Sequence, residues 1–303
     1  MIYEVRHLTT YRYRTPVAYT RCTLRLTPRQ TNDQSLLSNA ISVLPRPSQS
    51  RNRIGPFGEK ITAVVIEAVH SELKIEAVSR VQVKRMGADR AVRGAAWESV
   101  REAAVACATL EIGSPANFLY PTAQTPILAP LTAFSRRCFQ PQRPIVEAAF
   151  DLARTIQQEF KYDAKATAVG TPAIEAFDAR RGVCQDFSHI MLAGLRGLGL
   201  SAAYVSGYLR TVSPPGRKRL EGADATHAWV NLWCGEALGW IGFDPTNGLI
   251  VADDHIELAV GRDYADVAPI DGVILGSGEQ DLTVAVDVKP ITENAEVEAG
   301  SFL

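Results

Sequence analysis

The amino-acid sequence predicts an α+β protein in which an N-terminal, antiparallel β-sandwich-like domain precedes a core of helices packed on an antiparallel sheet. Residues 1–83 consist of short, alternating apolar runs separated by turns, without a helical period. A helical period then dominates from about residue 97 to 198, and the period returns to two after Gly199. Helices followed by antiparallel strands are typical of the α+β class.

Composition excludes several classes of protein. The chain has 303 residues, of which 46% are hydrophobic and 21% charged, and this balance is that of a globular protein and not of a disordered one. It has no run of ~18 uncharged apolar residues that could span a membrane. The first residues lack a basic-then-apolar export signal, so we expect a cytoplasmic protein. The net charge of −1 argues against a nucleic-acid partner.

The near-zero net charge hides an asymmetry. Residues 1–100 contain 16 Lys and Arg against 8 Asp and Glu, whereas residues 251–303 contain 2 against 12. One interpretation is that the two ends lie on different surfaces of the molecule. The other is that the acidic end docks on the basic domain or on a basic partner.

Three regions are predicted along the chain. A β-rich domain covers residues 1–90, with strands near residues 2–7, 22–27, 61–69 and 73–83. A second domain, the core, covers residues 91–290, and residues 291–303 are predicted to form an acidic, flexible tail. Within the core, helices are predicted at 97–109, 144–160, 171–182 and 184–198, and strands at 203–209, 226–233, 240–244 and 282–288. Four prolines between residues 113 and 130 predict a loop or extended connector there.

One of the five cysteines occupies a position suited to chemistry. The cysteines are odd in number, far apart and without a Cys-x-x-Cys pair, which argues against a disulfide scaffold and a structural zinc site. Cys184 directly follows a Gly-Val step and begins a predicted helix. The helix dipole and the free N–H groups of the first turn favour the thiolate, and those N–H groups can also stabilise an oxyanion. The other four cysteines lack this setting.

A nucleophilic cysteine needs a base, and the base needs an orienting group. His227 lies on a predicted strand, and Asp244 ends the next strand. If the two strands form a hairpin symmetric about position 235.5, His227 faces Asp244 with Cβ atoms ~5 Å apart. A carboxylate at that distance fixes the imidazole tautomer. His189 is a weaker candidate base, because it lies ~140° around the helix axis from Cys184 and so points away from the thiol.

Three sequence motifs then carry a family resemblance. They are Arg-Gly-Val-Cys-Gln-Asp-Phe-Ser-His at 181–189, Asp-Ala-Thr-His-Ala-Trp-Val at 224–230 and Phe-Asp-Pro-Thr-Asn at 243–247. In this order they resemble the bacterial transglutaminase-like proteins, which are commonly described as cysteine proteases. Further matches are Phe-x-Tyr at 160–162, Thr-x-Val-x-Thr-Pro at 167–172, Asp-Asp-His-Ile at 253–256 and Gly-Arg-Asp-Tyr-Ala-Asp-Val at 261–267. The resemblance covers about residues 1–276.

The resemblance implies a papain-like transglutaminase core in which Cys184 is the nucleophile, His227 the base and acid, and Asp244 the orienting group. It implies no metal and no cofactor. Gln185 and Tyr162 are candidates for a second oxyanion donor, and Trp229 or Trp233 could line a dry site that favours amines over water. Other signature residues either close a loop beside the site or contact substrate; they are His255, Arg262, Asp263 and Tyr264.

The leading hypothesis is a thiol-dependent amide hydrolase or acyl transferase that acts on a peptide, protein or other amide through a thioester acyl-enzyme. Peptide or isopeptide hydrolysis is slightly favoured, since a secreted cross-linking enzyme would need an export signal. The alternatives are a protein cross-linking transglutaminase and a non-catalytic interaction scaffold of the same fold. No nucleic acid or membrane partner is expected, and the oligomeric state stays open.

Overall fold

A computed structural model describes residues 1–85, 93–211, 225–276 and 278–291. The acidic tail was predicted at residues 291–303. Of these, only Ile291 lies within the described residues. The helices are α1 Trp97–Ala106, α2 Ala129–Arg136, α3 Ile145–Glu159, α4 Ala173–Ala179, α5 Cys184–Gly197 and α6 Tyr264–Val267. No helix in these ranges combines the length and apolar character needed to cross a membrane.

Fifteen strands are present in the described part of the chain. They are β1 Ile2–Val17, β2 Tyr19–Leu24, β3 Gln34–Leu44, β4 Gln49–Ile54, β5 Lys60–Ile66, β6 His70–Val83, β7 Lys161–Tyr162, β8 Arg181–Gly182, β9 Ala202–Leu209, β10 Ala225–Trp233, β11 Trp240–Asp244, β12 Leu249–Ile250, β13 His255–Gly261, β14 Ile270–Leu275 and β15 Gln280–Ile291. The predicted α+β class, with a β-rich N-terminal region and antiparallel sheets, is confirmed.

Two four-stranded sheets form the sandwich, in the orders β15-β1-β6-β3 and β14-β2-β5-β4. The alternation that predicted the first strand is visible in its burial: Tyr3, Val5 and His7 are buried, whereas Arg6 between them is exposed. A third, five-stranded sheet, in the order β12-β11-β10-β9-β13, packs against α5. The sandwich therefore has two layers, and the helical core covers the third sheet.

The predicted domain limits differ from the structure at the C-terminal end. Residues 270–290 were assigned to the catalytic core, but β14 pairs with β2 and β15 pairs with β1 along twelve residues. The reason is apolar burial: Val286 and Val288 complete a cluster with Tyr3 and Val5. The sandwich is thus built from both ends of the described chain, and the predicted strand at 282–288 belongs to it.

The charge asymmetry has a structural explanation in this pairing. In the β1–β15 ladder Arg6 lies opposite Asp287 and Arg12 lies opposite Asp281. Arg14 adds an ion pair with Glu279 at 2.6 Å. Opposite charges across an antiparallel pair are favourable. For residues 270–291, the structure supports the interpretation in which the acidic end docks on the basic domain.

The sandwich and the five-stranded sheet share buried contacts. The buried side chain of Gln34 accepts from the backbone N–H of Glu257 and donates to its carbonyl, both at 2.8 Å. It therefore satisfies the edge of β13 as a neighbouring strand would. Tyr208 and Ile256 join the apolar cluster of Tyr3, and His7 Nδ1 lies 2.9 Å from the Tyr208 hydroxyl. These contacts fix β9 and β13 relative to the sandwich.

Helix α5 is the centre of the core, because every residue from Gln185 to Arg196 is buried. Arg196 anchors its last turn and is 2% exposed. Its guanidinium donates to four oxygen atoms: those of the Phe118, Ala202 and Arg262 carbonyls and the Thr125 hydroxyl. A buried guanidinium with this many acceptors holds the helix and three surrounding segments together.

The proline-rich segment 113–130 is only partly the predicted connector. It contains a 3₁₀ turn at Pro115–Phe118 and leads into α2, whose first turn holds Pro130. Proline is compatible with the first turn of a helix, since the N–H groups there have no intrahelical partner. Leu131 and Phe134 of α2 then join the apolar core around α5. The sequence cue for this helix was therefore one proline followed by two core residues.

The return of the C-terminal strand to the N-terminal sheet predicts a position-specific loss of stability. Val288 is fully buried and faces Val5, so Val288→Ala should lower the free energy of unfolding by about 2 kcal/mol in urea denaturation. Val284 lies on the same strand but is 48% exposed, so Val284→Ala should change it by less than about 0.5 kcal/mol. Equal losses for the two variants would contradict the packing of β15.

Candidate active site

The thiol of Cys184 lies at the first residue of α5. Helix α4 ends at Ala179, and Arg180 adopts a left-handed φ of 51° that turns the chain. The short strand β8 then pairs in parallel with β7, which brings Tyr162 beside Gly182. The chain reaches α5 through Val183, an extended N-cap residue. Thus Cys184 opens the helix, as the sequence predicts.

Asp186 fixes the turn that presents the cysteine. Its Oδ2 accepts from the backbone N–H of Val183 at 2.7 Å and from the Thr167 hydroxyl at 2.6 Å. A Cβ at position 182 would lie 2.5 Å from the same oxygen, so only glycine fits there. The carboxylate also lies in the first helical turn, where a negative charge is favourable. The N–H groups of Cys184 and Gln185 belong to this turn and have no intrahelical partner.

His227 is buried on β10, and its Nε2 lies 2.8 Å from Oδ2 of Asp244. This contact leaves Nδ1 as the ring nitrogen that can serve the thiol. Cys184 and Asp244 both raise the pKa of this imidazole, so the thiol and the carboxylate both act on it. The structure therefore brings together the three residues that the sequence proposed as a triad.

The predicted hairpin register was wrong by two residues. Val230 pairs with Phe243 and Trp233 pairs with Trp240, so the hairpin is centred one residue later than 235.5. A shift of two positions keeps every side chain on its face of the sheet. His227 and Asp244 therefore still meet, diagonally and beyond the last paired residues. The sequence predicted that the two side chains share one face of the sheet, but it did not predict the length of the turn between the strands.

The Asp244 carboxylate is fully buried and accepts five N–H groups. Oδ1 accepts from the backbone of Thr246 and Asn247 at 2.9 and 3.1 Å. Oδ2 accepts from the Asn247 amide at 2.7 Å, from His227 and from His255 Nε2 at 3.2 Å. Burial alone would raise the pKa of Asp244, but the histidine hydrogen bonds outweigh it and hold that pKa well below its usual range. The carboxylate is therefore a fixed anion.

The fixed anion in turn controls the imidazole. Burial alone would lower the pKa of His227, but the hydrogen bonds to Asp244 and Cys184 raise it to about 10. A protonated imidazole beside a thiol favours an imidazolium–thiolate pair. The arrangement places a half-buried thiol, a buried imidazole and a buried carboxylate in one cluster.

His255 is a site residue whose place the sequence left open. It is 2% exposed, begins β13 and packs edge-on against Trp229 with ring centroids 5.2 Å apart. Burial lowers the pKa of His255, so the neutral ring donates through Nε2 to Asp244. The sequence signal for this residue was the Asp-Asp-His-Ile motif at 253–256. Nothing in its spacing predicts that His255 contacts Asp244.

The same three side chains contain the atoms that could hold a metal ion. Among the described residues, the ligand atoms of His227, Asp244 and His255 lie within 4.8 Å of one another. Asp244 also accepts three N–H groups that are not metal ligands, from Thr246 and Asn247. We therefore assign the cluster to the orientation of His227.

Two of the other predicted site residues lie beside the thiol. Tyr162 is 55% exposed, and burial together with the charge of Cys184 raises its pKa. It is thus available to a substrate. The side chain of Gln185 instead donates to the Val169 carbonyl at 2.8 Å and is buried. Its amide holds the loop before α4, while its backbone N–H is free to face an oxyanion.

The predicted aromatic lining is not placed over the thiol. Trp229 is 0% exposed and packs behind the base, with its ring centroid 6.3 Å from that of His227. Gly207 makes this possible, since a Cβ there would lie 2.4 Å from the indole. Trp233 lies in the apolar core. Trp229 packs against the base and not over the thiol, so it supports His227.

The remaining signature residues form a short capped helix beside α5. Asp263 caps α6 by accepting from the N–H of Ala265, and Arg262 pairs with Asp266 at 2.8 Å. The N–H of Tyr264 donates to Nε2 of His189 at 3.3 Å. Nε2 of His189, the weaker candidate base, is therefore engaged by α6 and not by Cys184.

A cavity of about 630 Å³ lies between the sandwich and the five-stranded sheet. Its lining includes Arg29, Phe57, Asn231, Trp240 and Glu257. Cys184, His227 and Asp244 do not line it. The chemistry therefore belongs to the amino end of α5 and not to this cavity.

Comparisons with known proteins agree with this geometry. Residues 3–82 match the model of the bacterial transglutaminase-like N-terminal region, and residues 132–245 match that of the transglutaminase-like superfamily. The chain is 35% identical over 305 residues to the uncharacterized protein Rv2569c of Mycobacterium tuberculosis, covering 97% of this chain and 94% of that protein. It is 33% identical over 291 residues to the uncharacterized protein ML0607 of Mycobacterium leprae, covering 94% and 97%.

The fold is also found in a solved structure, "a Putative Cysteine Protease from Cytophaga hutchinsonii". The two chains superpose with a TM-score of 0.71 at 20% identity, over 96% of this chain and 92% of the other. The likeness therefore extends through the sandwich as well as the core. It shows a common fold for both regions.

The site geometry predicts an order of thiol reactivity. With iodoacetamide at pH 6, Cys184 should be alkylated first, because His227 supports its thiolate. Burial raises the pKa of Cys22, Cys138 and Cys234, so these should react slowly. Peptide mass spectrometry gives the rate at each site.

Cys107 is an exception to the expectation that the other four cysteines are ordinary. It is partly exposed, and hydrogen bonds from Ser114 and Thr109 lower its pKa. The alkylation experiment therefore uses a Cys107→Ser background. In that background His227→Ala should slow labelling of Cys184 at least about tenfold. Labelling that is equal at all sites, or insensitive to His227, would contradict the triad.

The raised pKa of His227 predicts a pH-dependent stability. The folded-state pKa of about 10 exceeds the unfolded value of about 6.5. Stabilisation by the protonated ring is then complete below pH ~6.5 and is lost as the pH rises through ~10. The advantage of the wild type over His227→Gln, measured by urea unfolding, should therefore shrink between pH 7 and 9.5.

His7 is the matched control for this measurement. It is also buried, but burial lowers the pKa of His7 to about 4, so it is neutral in the folded state at both pH values. The difference between the wild type and His7→Gln should stay constant from pH 7 to 9.5. A constant difference for His227→Gln as well would contradict the protonated imidazole.

Proposed function

The chain belongs to the bacterial transglutaminase-like family, and we propose that it is a thiol-dependent enzyme that cleaves amide bonds through Cys184, His227 and Asp244. One observation carries the proposal: the buried His227 is hydrogen-bonded to a buried carboxylate at 2.8 Å, and the Cys184 thiol at the start of a buried helix helps to raise the pKa of that imidazole. A binding scaffold has no use for all three groups in this arrangement.

The first half of the reaction forms a thioester. The Cys184 thiolate attacks the carbonyl carbon of the amide, and the oxygen becomes an anion. The free N–H groups of Cys184 and Gln185 in the first turn of α5 can donate to this oxygen. Nδ1 of His227 gives its proton to the leaving nitrogen, so the C–N bond breaks and an amine departs. Asp244 holds the opposite nitrogen of the ring throughout.

The second half returns the thiol. Neutral His227 accepts a proton through Nδ1 from the attacking water or amine, whose oxygen or nitrogen bonds to the acyl carbon while the C–S bond breaks. The sulfur leaves as the thiolate beside the imidazolium that has just formed. Water gives hydrolysis, and an amine gives acyl transfer.

We favour water as the acceptor, and hence peptide or isopeptide hydrolysis. Trp229 packs behind His227 and Trp233 in the core, so neither of these residues shields the thioester from water. The description of the Cytophaga hutchinsonii structure as a protease points the same way. A cross-linking activity, in which the side-chain amine of a lysine is the acceptor, is the second candidate.

The acceptor can be identified by offering water and an amine to the enzyme in the same assay. Glutamine-rich casein is incubated with the enzyme and dansylcadaverine, and the release of ammonia, new amino termini and dansyl incorporation are measured. Release of ammonia or peptides without dansyl incorporation supports hydrolysis. Stoichiometric dansyl incorporation would overturn hydrolysis and support cross-linking.

The proposed roles predict how the variants behave in this assay. Cys184→Ala should lose at least about a thousandfold in kcat/KM, and Asp244→Asn should lose a large part of the activity with its fold intact. Cys107→Ser should retain full activity. Activity in Cys184→Ala would exclude the proposed nucleophile.

A further inference from the structure

The cavity of about 630 Å³ between the sandwich and the five-stranded sheet has the size of a ligand site, since sites for small molecules are typically about 300–1,000 Å³. It contains none of the three residues of the proposed chemistry. Its lining combines charged side chains, including Arg29 and Glu257, with aromatic side chains, including Phe57 and Trp240. The chemistry of these groups indicates which ligand the cavity accepts.

Arg29 and Glu257 form an ion pair that leaves most of its hydrogen-bonding capacity unused. Nη1 of Arg29 lies 3.2 Å from Oε1 of Glu257, and the two side chains are 18% and 9% exposed. Within the described ranges, neither side chain makes a further hydrogen bond, and neither contains a sealed atom without a partner. A guanidinium has five N–H donors and a carboxylate about four lone-pair sites. The pair therefore offers donors and acceptors that a ligand can reach.

A second ion pair on the lining makes the site neutral. Nε of Arg85 lies 2.5 Å from Oδ2 of Asp33, and its Nη1 donates to the backbone carbonyl of His255 at 2.9 Å. The charged lining residues are thus two cations and two anions. A ligand that carries one charge of each sign complements such a site better than a simple anion or cation does.

Three aromatic rings form a wall that begins beside Arg29. The ring centroids of Phe57 and Phe118 lie 5.1 Å apart, and those of Phe118 and Trp240 lie 5.3 Å apart. A Cβ on Gly58, the residue after Phe57, would lie 3.8 Å from Nη2 of Arg29. The Trp240 indole is fixed, because its N–H donates to the Gly113 carbonyl at 2.8 Å. An aromatic side chain of a ligand can pack against this wall.

We propose that the cavity binds an aromatic α-amino acid in its zwitterionic form. The ligand carboxylate accepts from the guanidinium of Arg29, and the ligand ammonium donates to the carboxylate of Glu257. The aromatic side chain packs against Phe57 and Trp240. This site goes beyond the proposed amide-cleaving function and is separate from it, because binding requires no thiol.

Isothermal titration calorimetry on the full chain tests the three parts of the ligand one at a time. The probes are L-phenylalanine, 3-phenylpropanoate, 2-phenylethylamine and L-alanine, and none of the four contains an amide bond. The last three lack the ammonium, the carboxylate and the ring, respectively. L-Phenylalanine should bind at least about tenfold more tightly than each of the others, since each loses one paired charge or the ring contact.

Glu257→Gln tests the proposed partner of the ammonium. It should lower the ratio of L-phenylalanine affinity to 3-phenylpropanoate affinity to about one. The ratio compares two ligands on one variant, so a general loss of stability does not change it. The backbone of Glu257, which pairs with Gln34, is not altered by this substitution.

Asn231→Phe tests the location of the site. Asn231 lines the cavity from β10, so the larger side chain should fill it and weaken L-phenylalanine binding at least about tenfold. Asn52→Phe, on the exposed strand β4, is the matched control and should bind as the wild type does.

The outcomes are distinct from those of the proposed function. Absence of L-phenylalanine binding at millimolar concentration would overturn the site, as would equal affinities for all four probes. Unchanged binding in Asn231→Phe, or a tenfold ratio that persists in Glu257→Gln, would also overturn it. Alkylation of Cys184 tests the amide-cleaving function independently, so either proposal can fail while the other stands.

Discussion

The buried carboxylate of Asp244 is the constraint on which the site depends. An ionised group without exposure to water is stable only when its lone pairs are satisfied, and five N–H groups meet this need. Those donors come from β10, from the turn after β11 and from β13. One anion therefore fixes the relative positions of three strands, and the orientation of His227 toward the thiol follows from it.

The N-terminal sandwich takes part in that constraint. Arg85 donates to the His255 carbonyl at 2.9 Å, and Gln34 satisfies the backbone of Glu257, so the sandwich holds the strand that begins with His255. The apolar cluster that includes Tyr3 and Tyr208 extends the contact over the sheet. The β-rich domain thus serves the site as a support for β13, although it contributes no residue to the triad.

Local signals in the sequence were enough to predict the fold class and to propose Cys184, His227 and Asp244 as a group. The helix start at Cys184 and the alternation around His227 depend on neighbours in the chain, and the family motifs added specificity. The sequence did not predict the contacts between segments that lie far apart in the chain. The pairing of β15 with β1 and the contact of His255 with Asp244 are set by burial between distant segments, which no period in the sequence encodes. The register of the β10–β11 hairpin was predicted in part. Alternation along the strands set which face each side chain occupies, but packing decided the length of the turn.

The pairing of the first strand with the last described one has a consequence for synthesis on the ribosome. β1 emerges early, but Tyr3 and Val5 cannot complete their cluster until residues 280–291 have been made. If the core folds before that point, one edge of the first sheet is still open, and closure of the long loop between β1 and β15 follows. A chain that stops early keeps an unpaired, apolar edge that quality-control proteases can recognise.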